Sequence, residues 1–373
     1  MISFQVCNDR ELFRGAWEFS KRQLRRLIET YPDFYPTYTK QGRWKHSGET
    51  WTAWCDGFLP GMLWIVYARE MGDPRARWWR DQAMRYTRPL EPRKYDRDIH
   101  DLGLLFMSTY YRWFKLTQDP TIKSVVLEAG RTLAQRFREK GQYLRSFVSE
   151  DSVLIDLMAN VGIIFYAAIE SGDAVLMRIA RRHTDTTRRV LVRGDGSTAQ
   201  EGLFDVQTGE FLRQSTHQGS RGDSCWSRGL AWALYGFGSC YAYARDPFYL
   251  STAEACAGYF IEQTPPDGVP LWDFNAPDNS RELVDTSAAA IAAAGLFRLG
   301  VLAVDEMKAL LYESVGRRIT GTLCREHLAQ SDPDWEGILK NGVYHLPKNL
   351  GVKESVIWGD YFFLEALDAA LGT

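Results

Sequence analysis

Three things are scarce in this chain, and each scarcity narrows what it does. Cysteine is the first. The six thiols, at Cys7, Cys55, Cys225, Cys240, Cys256 and Cys324, include no C-x-x-C pair and none spaced with histidine as a zinc site requires. Most fall inside apolar helical runs, where free buried thiols are found, so the pattern points to a reducing compartment and no metal site is expected. Charge of one sign is the second. Lysine and arginine total 45 against 47 acidic residues, a formal net charge of −2 with both signs mixed along the chain. With no basic stripe or lysine-rich tail, no nucleic-acid partner is expected. Long apolar runs are the third: none approaches the roughly 20 residues that cross a bilayer, so no membrane association is expected. The opening Met-Ile-Ser-Phe-Gln-Val-Cys-Asn-Asp-Arg-Glu lacks a secretory pattern, and the expectation is a cytoplasmic protein.

What the chain does have is ordinary globular composition, 45% hydrophobic and 25% charged. Its 373 residues suffice for two domains or for one large closed architecture of repeated units. Aromatics are plentiful, with 13 Trp, 18 Tyr and 19 Phe. They suit stacking on sugar rings, and they equally suit a large core, which is the default reading.

Helical periodicity dominates and predicts helices at 10–30, 56–70, 74–88, 99–117, 120–139, 153–171, 174–192, 227–244, 247–263, 285–299, 304–325 and 359–371. A turn recurs between neighbours: Gly72-Asp73-Pro74, Gln118-Asp119-Pro120, Gly172-Asp173-Ala174 and Arg245-Asp246-Pro247. Aspartate fits the N-cap and proline the first helical position, so these turns make antiparallel hairpins. The connections between hairpins are long and irregular, as in Tyr31–Thr52, Arg193–Cys225 and Thr264–Val284. The helix after each long connection is the more apolar of its pair. Six hairpins, each with an inner apolar and an outer charged helix, predict an all-α fold, an (α/α)6 toroid, formed by residues 1–373 as a single domain. An open helical solenoid uses the same hairpins, but its constant repeat length is absent. Long loops and inner-helix N-termini then share one face, where function would sit.

That face carries acids. Asp56, Asp285 and Asp360 are spaced as N-caps and are expected to act as such. Asp101, in His100-Asp101-Leu102-Gly103, is ambiguous. Asp156 is the least explicable as a cap: it follows Val153-Leu154-Ile155 inside a run read as helix, so a carboxylate sits in the first turn or two of an apolar helix. The loop Thr216-His217-Gln218-Gly219 precedes a helix bearing Arg228 and Trp232. Arginine offers a bidentate fork for a carboxylate and tryptophan a stacking face, which together suit an acidic sugar, although core packing is an equal reading of Trp232. Two carboxylates with raised or split proton affinities serve glycoside cleavage, and they serve hydration of an enol ether equally well.

Several of these stretches together resemble the unsaturated glucuronyl hydrolases, bacterial glycoside hydrolases with an (α/α)6 barrel. The likeness runs from about Trp51 to Leu371. It is carried by Trp54-Cys55-Asp56-Gly57-Phe58, His100-Asp101-Leu102-Gly103, Ile155-Asp156 with Asn160, Thr216-His217-Gln218-Gly219, Trp226 with Arg228-Gly229 and Ala231-Trp232, Leu271-Trp272-Asp273-Phe274, and Ile357-Trp358-Gly359-Asp360-Tyr361. The resemblance implies an oligosaccharide substrate bearing a 4,5-unsaturated uronic acid at its non-reducing end, released by hydration of the C4=C5 vinyl ether, with no cofactor. It implies Asp156 as proton donor to C4 and base for water at C5, and Asp101 as the second required carboxylate. His100 would orient Asp101, with Asn160 part of the same motif. His217 and Gln218 would line the uronate site with help from Arg228, and Trp54 and Trp232 would pack on the sugar.

Three positions depart from the family pattern. Gln200 stands where some members carry a histidine that approaches substrate, and Phe147 where some carry tryptophan. In Tyr344-His345-Leu346-Pro347-Lys348-Asn349, Lys348 could meet a sulfate on the neighbouring sugar, but the serines that accompany it in some members are missing. Glycosaminoglycan fragments are the expected source of substrate, and a monomer or weak homo-oligomer the expected assembly. The alternatives are an unsaturated rhamnogalacturonyl hydrolase on pectin fragments, a sugar epimerase or isomerase on the same toroid, and a non-catalytic carbohydrate-binding toroid.

Overall fold

The chain turns back on itself wherever an aspartate can cap the next helix. Asp119, Asp173 and Asp246 each accept backbone N–H groups at the start of the helix they precede, from Thr121, from Val175 and Leu176, and from Phe248. Asp73 bonds the N–H of Arg75 instead, just ahead of its helix. The structure, a computed structural model, describes residues 2–46, 53–280 and 282–372, the side chains of 2–8 and of Asn279 excepted. Trp51, where the family likeness begins, and Cys7's side chain lie outside the described residues, as does Thr52 at the end of the first long connection.

The helices are α1 (Ile2–Thr30), α2 (Phe58–Glu70), α3 (Ala76–Thr87), α4 (Leu102–Ser108), α5 (Tyr110–Thr117), α6 (Pro120–Ala134) and α7 (Leu157–Asn160). They continue with α8 (Gly162–Ser171), α9 (Ala174–Leu191), α10 (Ser227–Ala244), α11 (Pro247–Gln263), α12 (Thr286–Leu302), α13 (Glu306–Thr322) and α14 (Ile357–Leu371). Inner helices α2, α4–α5, α7–α8, α10, α12 and α14 form a ring that closes where α14 packs on α2, and α3, α6, α9, α11, α13 and α1 back them from outside. This is the (α/α)6 toroid read from the sequence. Residue types sort accordingly. The run 288–294 of α12 is buried and nearly all alanine, which lets inner helices approach closely. On α9, Leu176, Ile179 and Ala180 are buried while Arg178, Arg182 and Arg189 face solvent. Among the described residues no helix is long and apolar enough to cross a membrane.

Three local expectations are corrected. The helix read at 99–117 breaks at Thr109 (φ −114°, ψ −88°). There the hydroxyls of Ser108 and Thr109 bond carbonyls of the preceding turn, at Leu104 and Leu105, an arrangement that bends helices. The helix read from 153 does not start there: Ser152–Leu154 is a strand, and α7 begins only after Asp156. Of the three expected caps only Asp285 is one, accepting the N–H of Ser287. Asp56 lies before the N-cap Gly57 and pairs with Arg93 at 3.0 Å, and Asp360 lies inside α14, taking the N–H groups of Ile338 and Leu339.

Short strands fill the long connections: β1 (Thr39–Lys40), β2 (Arg43–Trp44), β3 (Phe137–Arg138), β4 (Tyr143–Leu144), β5 (Ser152–Leu154), β6 (Glu201–Phe204), β7 (Phe211–Ser215), β8 (Gly342–His345) and β9 (Leu350–Glu354). β5, β6 and β7 form one antiparallel sheet in which Leu154, Glu201 and Ser215 stand in register. That register brings three stretches distant in sequence to one sheet end: Asp156 just after β5, Gln200 just before β6, and His217 just after β7.

Candidate active site

A pocket of about 200 Å³ opens at this sheet end. Eleven of the residues singled out in the sequence line it: Trp54, His100, Asp101, Phe147, Asp156, Gln200, His217, Gln218, Arg228, Trp232 and Lys348. Asn160 does not. It is fully buried behind the pocket, where it ties the two acids together. Its Nδ2 donates to Asp101 Oδ1 and to the carbonyl of Asp156, both at 3.2 Å, and its Oδ1 accepts the N–H of Leu104 at 2.7 Å. Gly103 permits this approach: a Cβ there would stand 2.2 Å from the Asn160 carbonyl oxygen.

Neither acid is a helix cap by its side chain. Burial, and then the charge of Asp156, push Asp101 up to about 8. Burial pushes Asp156 up to about 6 against the opposing pull of Arg228 and His217. The Oδ2 of Asp156 is buried and has no hydrogen-bond partner among the described residues. His100, held down to about 3 by burial, is neutral. Its Nδ1 accepts the N–H of Phe147 at 3.0 Å, which leaves the proton on Nε2, 3.4 Å from Asp101 Oδ2. Phe147 packs beside the His100 ring.

The other wall is built by Gln200. Its Oε1 accepts three hydrogen bonds, from Thr216 Oγ1 and the N–H of His217 at 2.7 Å and from the N–H of Gln218 at 2.8 Å. This one carbonyl therefore folds the Thr-His-Gln loop over the pocket, while its Nε2 is buried without a partner among the described residues. His217 Nε2 meets Glu201 Oε1 at 3.0 Å, and that carboxylate also accepts from Ser152 Oγ at 2.5 Å. The Glu201 bond, set against partial burial, raises the proton affinity of His217 at the pocket rim. Glu201 was missed in the sequence, because its burial comes from the pairing of β6 with β5 and β7 and leaves no local signal.

Arg228 corrects an expectation. The fork expected to take a substrate carboxylate is committed to the protein: Nη1 donates to Asp285 Oδ2 at 3.1 Å and to the Val343 carbonyl, and Nη2 donates to the Tyr344 carbonyl at 2.7 Å and to Gln218 Oε1 at 2.5 Å. Its guanidinium also stacks over Trp226, 4.4 Å from the ring centroid. Arg228 therefore acts on the pocket through its field and by fixing Gln218, whose amide Nε2 is left as the donor. Trp232 is buried in the core against Phe362, as the packing reading has it, and it also lines the pocket. Trp54 is half-buried, tilted on Trp358 at 4.9 Å. Tyr344 and His345 complete the wall beside Lys348. Among the described residues no group of three or more His, Cys, Asp and Glu is placed to hold a metal ion.

No protein-family model matches the chain. It is 32% identical to the unsaturated glucuronyl hydrolase of Bacillus sp. (strain GL1) over 355 residues, 92% of this chain and 92% of that one. It is 34% identical to the unsaturated glucuronyl hydrolase of Formosa agariphila, over 84% of this chain and 79% of that one. In three dimensions it superposes on the crystal structure of an unsaturated glucuronyl hydrolase specific for heparin with a TM-score of 0.87, at 29% identity, covering 96% of this chain and 97% of the other. Identity of this extent, together with the toroid and its buried acid pair, shows that the chain belongs to the unsaturated glucuronyl hydrolase family and is a glycoside hydrolase.

Proposed function

We propose that the enzyme removes a 4,5-unsaturated uronic acid from the non-reducing end of lyase-generated oligosaccharides, most naturally those derived from glycosaminoglycans, by adding water across the C4=C5 vinyl ether. The observation that carries this is Asp156: a carboxyl group pushed up to about 6, with one oxygen unpartnered in the pocket. In its acid form Asp156 gives its proton to C4. The π electrons form the new C–H bond, and positive charge at C5 is shared with the ring oxygen. The resulting carboxylate takes a proton from water as the water oxygen bonds to C5, which restores the acid. The hemiketal so formed at C5 opens and releases the neighbouring sugar.

Asp101 holds its proton more tightly, and a neutral carboxyl donates to a sugar hydroxyl rather than repelling a uronate. His100 Nε2–H and Asn160 fix its orientation. His217, whose proton affinity Glu201 raises, faces the uronate carboxylate, with the amide Nε2 of Gln218 as a second donor. A bound uronate adds negative charge beside Asp156 and raises its proton affinity further, which keeps the donor loaded at neutral pH. Trp54 and Trp232 supply apolar faces to the ring, and Lys348, on the pocket wall, would meet the next sugar. The heparin specificity of the structural relative supports a sulfated glycosaminoglycan source.

The test is incubation with unsaturated disaccharides cut from heparin, chondroitin and hyaluronan while following the ultraviolet absorbance of the conjugated uronate. Loss of absorbance with release of the reducing-side sugar is expected. No loss on any of these products overturns the reading.

We further propose that residues 1–373 act as a single catalytic domain, as a monomer or weak homo-oligomer in the cytoplasm. The free, buried thiols Cys55, Cys225, Cys240, Cys256 and Cys324 support a reducing compartment. Sedimentation of the full chain and fractionation of the source cells check these points.

A further inference from the structure

The other mouth of the barrel holds a second cavity, of about 730 Å³, walled by all the inner helices. Leu104 lines both cavities and stands between them. The reaction uses nothing in this second space, yet its centre is charged. Glu365 on α14 accepts from Arg112 Nη2 at 2.5 Å, from the hydroxyl of Tyr235 at 3.0 Å and from that of Tyr361 at 3.2 Å. Arg298 on α12 comes only within 3.7 Å of the same carboxylate and bonds Tyr235 Oη at 2.7 Å and Ser239 Oγ instead. One carboxylate therefore answers two guanidinium groups. The remaining charges on the wall do not restore balance: Asp368 is taken by Arg69 at 2.6 Å, and Lys115 adds a positive charge at the rim.

Two structural explanations fall short. Cations near a helix C-terminus offset its partial negative charge within the last turn, but Arg112 is the third residue of α5, where the macrodipole has the opposite sign. A brace between helices gains most when charges match, because an unmatched charge in a partly dry cavity is costly. Here Arg112 Nη1 also has no acceptor among the described residues, while its Nε and Nη2 are both engaged. A guanidinium with unused donors, a surplus of one positive charge at the Arg112–Glu365–Arg298 centre, and walls rich in tyrosine fit a monoanion with a ring.

We propose that this cavity binds a small organic monocarboxylate, its head between Arg112 and Arg298 and its body against the rings of Tyr111, Tyr235 and Tyr243. A planar carboxylate matches the guanidinium geometry, and a single charge closes the imbalance where a phosphate dianion would reverse it.

Titration calorimetry of the full chain with sodium benzoate at low ionic strength tests this. Saturable binding of one benzoate per chain is expected. Arg298→Gln weakens it by about tenfold or more, as removal of a charge-assisted contact does. Arg298→Lys keeps the charge but loses the planar fork, and falls between the two. Glu365→Gln removes the competing anion and tightens binding, and His217→Ala, at the opposite mouth, leaves the dissociation constant unchanged. Thermal melts confirm that each variant is folded. If one arginine variant does not fold, the opposite sign expected for Glu365→Gln still decides the matter. The proposal is overturned if the unaltered chain shows no saturable binding, if binding is indifferent to both Arg298 and Glu365, or if His217→Ala abolishes it.

Discussion

The two mouths of this barrel hold their acids in opposite ways. At the loop-covered mouth, Asp101 and Asp156 are buried with no arginine or lysine among the described residues bonded to either carboxyl, and both proton affinities are raised. At the mouth of tight turns, Glu365 is held by Arg112 and two tyrosine hydroxyls and serves as a fixed anion. The first arrangement suits the proton carrier proposed for Asp156, and the second makes a tether. The same helices build both, so the difference lies in the partners that the connections and neighbouring helix turns bring to each acid.

The contrast breaks most sharply at Asp156. Asp156→Asn keeps the shape but cannot deliver a proton, and kcat is expected to fall by about 10²–10⁴-fold, the usual worth of a general acid. The melting temperature should hardly move, and turnover of an unsaturated disaccharide with a parallel melt checks both. Titration sharpens the same point. In the proposed mechanism only protonated Asp156 donates, and its pKa is raised to about 6, so kcat/KM should decline with rising pH above that value, by about tenfold per unit. The fall steepens once Asp101 ionises, near 8. A rate that instead climbs through this range would show that the ionised form is the active one.

Gln200 comes next. Gln200→Leu strips the acceptor from Thr216 and from the N–H groups of His217 and Gln218, and each orphaned donor costs about 1–3 kcal/mol where water cannot replace the bond. A rise in KM of about tenfold with a smaller change in kcat is expected from steady-state kinetics. The smallest effect belongs to the far mouth. Asp173→Ala removes a helix cap and should lower stability by about 0.5–2 kcal/mol in urea titration, leaving kcat and KM as they were.

How much of this was legible varies with the physics involved. Helix pairing was readable because caps and apolar faces are local: Asp119, Asp173 and Asp246 do what their spacing says. Asp56 and Asp360 share that spacing and do something else, because a nearby arginine and two backbone amides bind them first. The strand Ser152–Leu154 was hidden in an apolar run that continues into the next helix, and only pairing with β6, some fifty residues on, decides its form. The acids themselves stood out because an apolar run leaves a carboxylate no cheap explanation. Their setting did not, since Glu201 and the committed fork of Arg228 depend on contacts across the sheet and the barrel.

The close approach at Gly103 has a consequence beyond packing. The helices that carry Asp101 and Asp156 meet there through main-chain atoms, and Asn160 bonds hold them from separating. A contact of that kind is a mechanical stop: it yields neither inward, against hard-core repulsion, nor outward, against the amide. Because the charge of Asp156 is the contributor second to burial in the raised proton affinity of Asp101, that contribution is set by backbone geometry through the spacing of the two carboxyls. Breathing of the outer wall, or replacement of side chains along it, leaves that setting where it is.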